Sequence, residues 1–173
     1  MTTTCLVVMG VSGVGKSTIA KRLADRLGWA MAEGDEYHSE ENIAKMEAGT
    51  PLTDQDRMPW LRNIRDWIGE QDAAGRNTVV TCSALKRSYR DMLRRTSARV
   101  LFVHLSASAE VIASRLSERT GHFMPPRLLD SQFGDLEPLA EDEPGITVDV
   151  ADSPEHITDE VLKELRLAPE GTA

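Results

Sequence analysis

One stretch near the amino terminus has the residue types and spacing of a phosphate-binding loop. It reads Gly10-Val11-Ser12-Gly13-Val14-Gly15-Lys16-Ser17-Thr18. Glycines at these positions let successive backbone N–H groups turn toward phosphate oxygens, and the helix that follows adds positive potential. The spacing predicts that Lys16 reaches the β- and γ-phosphates of ATP and that the Ser17 hydroxyl binds Mg²⁺. The alternative is a glycine-rich turn with an exposed lysine.

A carboxylate and an imidazole follow the second apolar segment, residues 29–33. Asp35 comes directly after that segment, where a carboxylate can accept a proton from a substrate hydroxyl and assist Mg²⁺. His38 can donate a hydrogen bond to a polar substrate. The alternative for both residues is a simple turn before a helix that Ser39 caps.

Arg57 lies in the first turn of a long helix that we predict from residue 54. A cation is unfavourable there, because the helix dipole is positive at its amino end. A residue that breaks a local rule in this way can mark a functional site, and a guanidinium can form a fork with a substrate carboxylate. A salt bridge to Asp54 or Asp56 explains the residue equally well.

A third group of polar residues follows the apolar segment at residues 78–82. Ser83 faces the same crevice, and Lys86, with Arg87 and Arg90, can bind an anion; a solvated helix face is the alternative. The segment ends in Thr81-Cys82 rather than in an aspartate. This ending disfavours GTPases and motor ATPases and favours a small-molecule kinase.

Arg115 and Arg119 are four residues apart and therefore share one helix face. Residues 120–135 contain glycines and prolines, and we predict that they are irregular. A basic helix face beside such a segment indicates a lid that closes over ATP and brings arginines to the phosphates. An ordinary basic surface is the alternative.

The elements that must position these residues alternate along the chain. Apolar segments at residues 5–9, 29–33, 78–82, 100–105 and 146–150 are separated by segments with helical periodicity. This order predicts an α/β fold with a parallel sheet of about five strands and helices on both faces. Ligands of such sheets gather at the carboxyl ends of the strands, where the polar groups above are expected.

Composition limits the possible functions further. The chain has 173 residues, which fits one domain, and its net charge of −8 argues against general nucleic-acid binding. Cys5 and Cys82 lie in apolar segments, as small core residues do, and we expect His104 to be a hydrogen-bonded core residue. We expect no membrane span and no signal peptide, and hence a cytoplasmic protein.

Longer blocks of the chain resemble a known family. They are Gly34-Asp35 with His38, residues 42–46, residues 49–61, residues 82–87 with 89–91, Arg115-Leu116 with Arg119, residues 121–125, Leu128-Leu129, and Ser131-Gln132-Phe133. Together they are similar to the gluconokinases, small P-loop kinases related to shikimate and adenylate kinases. The resemblance extends from about Leu6 to Val150.

The resemblance implies a single P-loop kinase domain over residues 1–173, in three layers. We expect substrate-binding helices at about 39–75, a lid at about 119–135 and a frayed tail at about 168–173. The implied reaction transfers the γ-phosphate of ATP to D-gluconate in the cytoplasm, and the implied assembly is a homodimer.

From the residues and the resemblance together we expect three roles in the site. Lys16, Asp35 and Arg119 are the expected catalytic residues, Ser17 and Asp35 the metal ligands, and Arg115 and Arg119 the lid contacts to ATP. The expected substrate contacts are Asp35, His38, Arg57, Ser83, Lys86 and Gln132. Two alternatives stay open: a kinase of another small anion such as shikimate or a nucleoside monophosphate, and a P-loop regulator that phosphorylates nothing.

Overall fold

The structure of the protein is a computed structural model that describes residues 2–11, 13–108, 110–112, 114 and 126–167. Its strands are β1 (Thr4–Met9), β2 (Ala30–Glu33), β3 (Thr78–Thr81), β4 (Arg99–Ser106) and β5 (Gly145–Asp149). Its helices are α1 (Lys16–Leu27), α2 (Glu40–Glu47), α3 (Asp54–Ala73), α4 (Arg87–Leu93), α5 (Pro126–Asp135) and α6 (Pro154–Glu164). A short 3₁₀ helix, Gly34–Tyr37, follows β2.

The five strands form one parallel sheet in the order β2-β3-β1-β4-β5. This arrangement confirms the predicted α/β class. The chain leaves β1 toward β2 and β3 on one side and reaches β4 and β5 on the other. The carboxyl end of β1 is therefore the point where the strand order reverses, which is where open parallel sheets bind ligands.

Helices cover both faces of the sheet. The side chains of β1 point alternately to these two faces and join a separate core on each. Leu6 and Val8 join the core that contains the apolar faces of α1 and α6. Cys5, Val7 and Met9 join the core beneath α3 and α4. The result is the expected three-layer fold.

The start of α3 is defined by a capping box. The Thr53 hydroxyl accepts a hydrogen bond from the Asp56 N–H at 3.1 Å, and the Asp56 carboxylate accepts one from the Thr53 N–H at 2.9 Å. Two orphan N–H groups of the helix end are satisfied in this way. The cap fixes the first turn of α3, and with it the position of Arg57.

One local prediction was wrong. Residues 126–135 form α5 rather than an irregular segment, with Pro126 at the first helical position, where its missing N–H costs no hydrogen bond. Phe133 and Leu136 pack against the α1-side core and hold this end of the segment to the domain. The rest of the predicted lid, residues 119–125, and the tail at 168–173 lie outside the described residues.

Cys5 and Cys82 are both buried and free, as predicted. Within the described ranges, the structure contains no helix long and apolar enough to cross a membrane.

Candidate active site

The phosphate-binding loop leads from the end of β1 directly into α1. Gly15 has φ 101°, a left-handed conformation that favours glycine, and it precedes the first helical residue, Lys16. The Lys16 ammonium bends back over the loop and donates to the backbone oxygens of Gly10 at 3.0 Å and Val11 at 3.1 Å. Of the predicted loop residues, Ser12 lies outside the described part of the chain.

Burial lowers the pKa of the Lys16 ammonium, and the carboxylates of Asp35 and Glu33 act in the opposite direction. A half-buried ammonium that faces carboxylates and backbone oxygens is prepared for an anionic ligand, because the ligand's charge would favour the protonated amine.

A carboxylate that the sequence reasoning missed lies beside the P-loop serine. Glu33, the last residue of β2, accepts hydrogen bonds from the Ser17 hydroxyl at 3.1 Å and from the Thr81 hydroxyl at 2.6 Å. The available signal was its position, a charged residue at the carboxyl end of a strand next to Gly34-Asp35. Ser17 and Glu33 together present oxygen ligands of the kind that Mg²⁺ prefers.

A cavity of about 100 Å³ lies next to the P-loop and brings together most of the predicted substrate contacts. Its polar lining comes from Lys16, Asp35, His38, Arg57, Ser83, Ser131 and Gln132, and its apolar lining from Met46, Pro51, Leu52, Trp60 and Leu85. Elements that are far apart in sequence thus meet at one site, at the carboxyl edge of the sheet.

The 3₁₀ helix that carries Asp35 is held from both sides. The Gly34 N–H donates to the Thr81 hydroxyl at 3.2 Å, and the indole N–H of Trp60 donates to the Gly34 oxygen at 2.7 Å. Gly34 lies so close to β3 that a Cβ there would overlap the backbone oxygen of Thr81. Glycine is therefore required at this position, and the close approach determines where Asp35 enters the cavity.

His38 is fixed by two neighbours. Its ring stacks on Trp60, with 4.1 Å between the ring centroids and 16° between the planes. Its Nδ1 lies 3.3 Å from the amide nitrogen of Asn42. Burial lowers the pKa of His38, Arg57 lowers it further, and Asp35 acts in the opposite direction. Trp60 is buried, as predicted, but the stacking contact was not foreseen.

Arg57 is only 9% exposed and lines the cavity. Its guanidinium donates to the Tyr89 hydroxyl at 2.7 Å and to the Asp135 carboxylate at 3.2 Å. The salt bridge that competed with a substrate role in the sequence analysis is therefore formed with Asp135 of α5, and not with Asp54 or Asp56. One acidic partner and one phenol hold the cation at the cavity wall.

Lys86 is not part of the cavity lining. Its ammonium pairs with the Asp54 carboxylate at 3.0 Å, and the same carboxylate oxygen accepts a 2.5 Å hydrogen bond from the Tyr89 hydroxyl. The hydrogen bond with Asp54 raises the pKa of Lys86. Lys86 is thus linked to Arg57 through Asp54 and Tyr89, because the Tyr89 hydroxyl donates to Asp54 and accepts from Arg57.

Two further cations of the same segment have structural partners. Arg90 is fully buried, and its Nε lies 2.6 Å from a carboxylate oxygen of Glu143. The expectation that Arg90 helps to bind an anion was therefore wrong. A buried charge needs its partner in this way, because water no longer solvates it. Arg87 pairs with Asp142 at the surface. Arg115 and Arg119, the expected lid arginines, lie outside the described residues.

Known proteins resemble the chain over nearly all of its length. The AAA domain family matches residues 6–139. A gluconokinase from Gluconobacter oxydans is 50% identical, with 93% of this chain and 90% of that protein covered. Among solved structures, a sugar kinase from Janibacter sp. superposes with a TM-score of 0.93 at 52% identity, covering 96% of each chain. A gluconokinase from Sinorhizobium meliloti superposes with a TM-score of 0.83 at 47% identity, covering 94% and 91%.

The Gluconobacter relative matches the chain along nearly its whole length, and the two solved structures also share its fold. The chain belongs to the gluconokinase family of P-loop kinases, because relatives of that name match it at this level of identity, and its phosphate-binding loop and adjoining cavity agree with that membership.

Proposed function

We propose that this protein transfers the γ-phosphate of ATP to the terminal hydroxyl of D-gluconate, which gives 6-phosphogluconate and ADP. The observation that carries the proposal is the cavity, in which Asp35, His38 and Arg57 face one space beside Lys16 of the P-loop. A polyol acid needs partners for a carboxylate and for several hydroxyls, and the polar lining contains both kinds.

On the acceptor side, Asp35 orients the terminal hydroxyl and takes its proton as the oxygen attacks the γ-phosphorus. The guanidinium of Arg57, which lines the same cavity, binds the carboxylate of gluconate. His38, Ser83 and Gln132 bind hydroxyls. Lys86 would reach a substrate only by leaving Asp54, so its expected substrate role stays a prediction.

On the phosphate side, Lys16 exchanges the oxygens of Gly10 and Val11 for the β- and γ-phosphates. Because the transition state of phosphoryl transfer is loose, positioning and charge stabilisation supply most of the catalysis. The contribution of Arg115 and Arg119 to this charge stabilisation stays a prediction.

The residues around Ser17 fit a magnesium ion. Ser17 and Asp35 would hold the ion, and Glu33, which already accepts a hydrogen bond from Ser17, supplies a further carboxylate at that position. A bound Mg²⁺ would neutralise charge that develops on the phosphates. This chain's own contribution is to keep the Ser17 hydroxyl aimed by its hydrogen bond to Glu33.

A coupled assay of ADP release tests the proposal directly. We expect magnesium- and ATP-dependent turnover with gluconate that exceeds turnover with galactonate, shikimate or AMP. Preferred turnover of shikimate or AMP would assign the cavity to another small anion. ATP binding with no turnover of any of these acceptors would favour the P-loop regulator instead.

Two further properties follow from the resemblance. We propose a homodimer, which sedimentation of the purified protein would test against a monomer. We also propose a cytoplasmic location, which fractionation of cells that produce the protein would test.

A further inference from the structure

We propose that Asn42 is a positioning residue that holds His38 in the tautomer with its proton on Nε2, so that His38 donates a hydrogen bond to the substrate and does not accept one. The identity of the substrate in this inference rests on the proposed function, but the tautomer does not.

The orientation of the Asn42 amide follows from its contact with the backbone oxygen of Asp56. Asn42 lies on α2 and is only 5% exposed. One atom of its amide lies 2.8 Å from the backbone oxygen of Asp56. A carbonyl oxygen can only accept, so this atom must be the NH₂ nitrogen. Asp56 itself is held by the capping box of α3, which keeps that backbone oxygen in place.

The same NH₂ group faces the imidazole. The Asn42 nitrogen lies 3.3 Å from Nδ1 of His38, and an NH₂ group has two protons, one for each neighbour. Nδ1 must therefore accept. A proton on Nδ1 would point at the donor group of Asn42, which disfavours both the Nδ1–H tautomer and the imidazolium. A neutral ring has one N–H, and here it is on Nε2.

The other neighbours of the His38 ring leave its Nε2–H group available to a ligand. Trp60 covers one face of the ring and is itself fixed by its hydrogen bond to Gly34. Within the described part of the chain, Nε2 has no hydrogen-bond partner. The ring borders the cavity together with Asp35 and Arg57.

His38 and Asp35 therefore have different chemical roles in the cavity. A donor-only His38 recognises an oxygen lone pair of the acceptor, either of a hydroxyl or of a carboxylate. It cannot remove the proton of the reacting hydroxyl, since its basic nitrogen is occupied by Asn42. That task is left to the carboxylate of Asp35.

The tautomer is measurable in the wild-type protein. Nitrogen-15 NMR of the imidazoles distinguishes a protonated ring nitrogen from an unprotonated one, and a His38→Gln sample identifies the His38 signals among the four histidines. We expect the proton of His38 on Nε2. A proton on Nδ1, or on both nitrogens at pH 7.5, would overturn the inference, whatever acceptor the enzyme phosphorylates.

Two pairs of variants test the role in binding. A glutamine amide can place its NH₂ near the position of Nε2, whereas an asparagine amide lies near Nδ1. We expect His38→Gln to stay close to the wild-type KM for gluconate and His38→Asn to raise it about threefold to tenfold, the effect of one lost hydrogen bond. Both variants lose the stacking on Trp60, so each controls for the other. The reverse order would contradict a donor at Nε2.

Asn42→Asp replaces the donor that faces Nδ1 by an acceptor. We expect a proton on Nδ1 in its NMR spectrum and a threefold to tenfold rise in KM, with kcat reduced much less. Gln71→Glu, which makes the same amide-to-carboxylate change near the carboxyl end of α3, is the matched control and should leave KM unchanged. A folded Asn42→Asp protein with the wild-type tautomer and KM would refute the positioning role. If it does not fold, the wild-type spectrum and the His38 pair decide.

Discussion

Replacement of Arg57 by methionine is the sharpest test of how the cavity recognises its acceptor. Methionine has a similar length and is apolar, so it removes the guanidinium while it fills much of the same space. In the structure the guanidinium has two protein partners, Tyr89 at 2.7 Å and Asp135 at 3.2 Å. It also borders the cavity, where we place the carboxylate of gluconate.

The magnitude follows from the burial of the cation. Loss of one partner of a buried, hydrogen-bonded charge pair costs on the order of 2–5 kcal/mol. Arg57 is 9% exposed, and Asp135 stays nearby as a second negative charge, which weakens the attraction for a substrate carboxylate. We therefore expect the lower part of that range, about 2–3 kcal/mol, or about 30- to 140-fold in kcat/KM for gluconate.

The assay compares gluconate with D-glucitol, which keeps the terminal hydroxyl and lacks the carboxylate. If Arg57 binds the carboxylate, Arg57→Met reduces kcat/KM for gluconate and leaves the much lower value for glucitol nearly unchanged. Asp135→Asn, which retains the guanidinium, should preserve the preference for gluconate. An equal loss with both acceptors would show that Arg57 only supports the structure through Tyr89 and Asp135. No loss with either would remove it from the site.

Three other outcomes are expected. Asp35→Asn should lower kcat for gluconate by at least about a hundredfold while ATP still binds, because the amide cannot take the hydroxyl proton; near-normal turnover would exclude Asp35 as the base. Gly34→Ala should lower the free energy of unfolding in urea by about 1–3 kcal/mol, since its Cβ would overlap the Thr81 oxygen. Gly134→Ala in α5, where a Cβ meets nothing within 4 Å, should be neutral or stabilising, and equal effects of the two changes would contradict the packing argument. The pKa of His104 is lowered by burial and by the charge of Arg90, so protons bind the unfolded chain more readily and stability should fall as the pH drops below about 6.5. Urea unfolding at pH 7.5 and 5.5 should show a smaller loss for His104→Phe than for wild type, and an equal loss would assign the acid sensitivity to other groups such as His38.

His104 shows that a local sequence pattern can predict the burial of a residue without predicting its hydrogen-bond partners. Its place in an apolar segment correctly predicts burial, and it is 3% exposed in β4. The same pattern led to the expectation of a hydrogen-bonded core histidine, and that expectation was wrong for Nδ1, which has no partner among the described residues. A pattern of apolar residues reports burial, but it does not report what a ring nitrogen meets across the sheet.

Local chemistry in the sequence determined the class of the fold and the nucleotide site. The order of apolar and helical segments predicts the parallel sheet, because each period reflects the backbone geometry of its own segment. The P-loop was recognisable because its function depends on neighbouring backbone N–H groups, which lie within one short stretch. Asp35 and His38 were found for a similar reason, since both follow the carboxyl end of a strand.

The tertiary structure alone decided which partners these side chains meet. Arg57 pairs with Asp135, 78 residues away, and not with the aspartates of its own first turn. Glu33 lies beside Ser17 only because β2 and α1 pack next to each other, and Asn42 reaches the backbone oxygen of Asp56 only because α2 lies beside the first turn of α3. Spacing along a chain predicts contacts within one element, whereas contacts between elements depend on how the whole sheet and its helices pack.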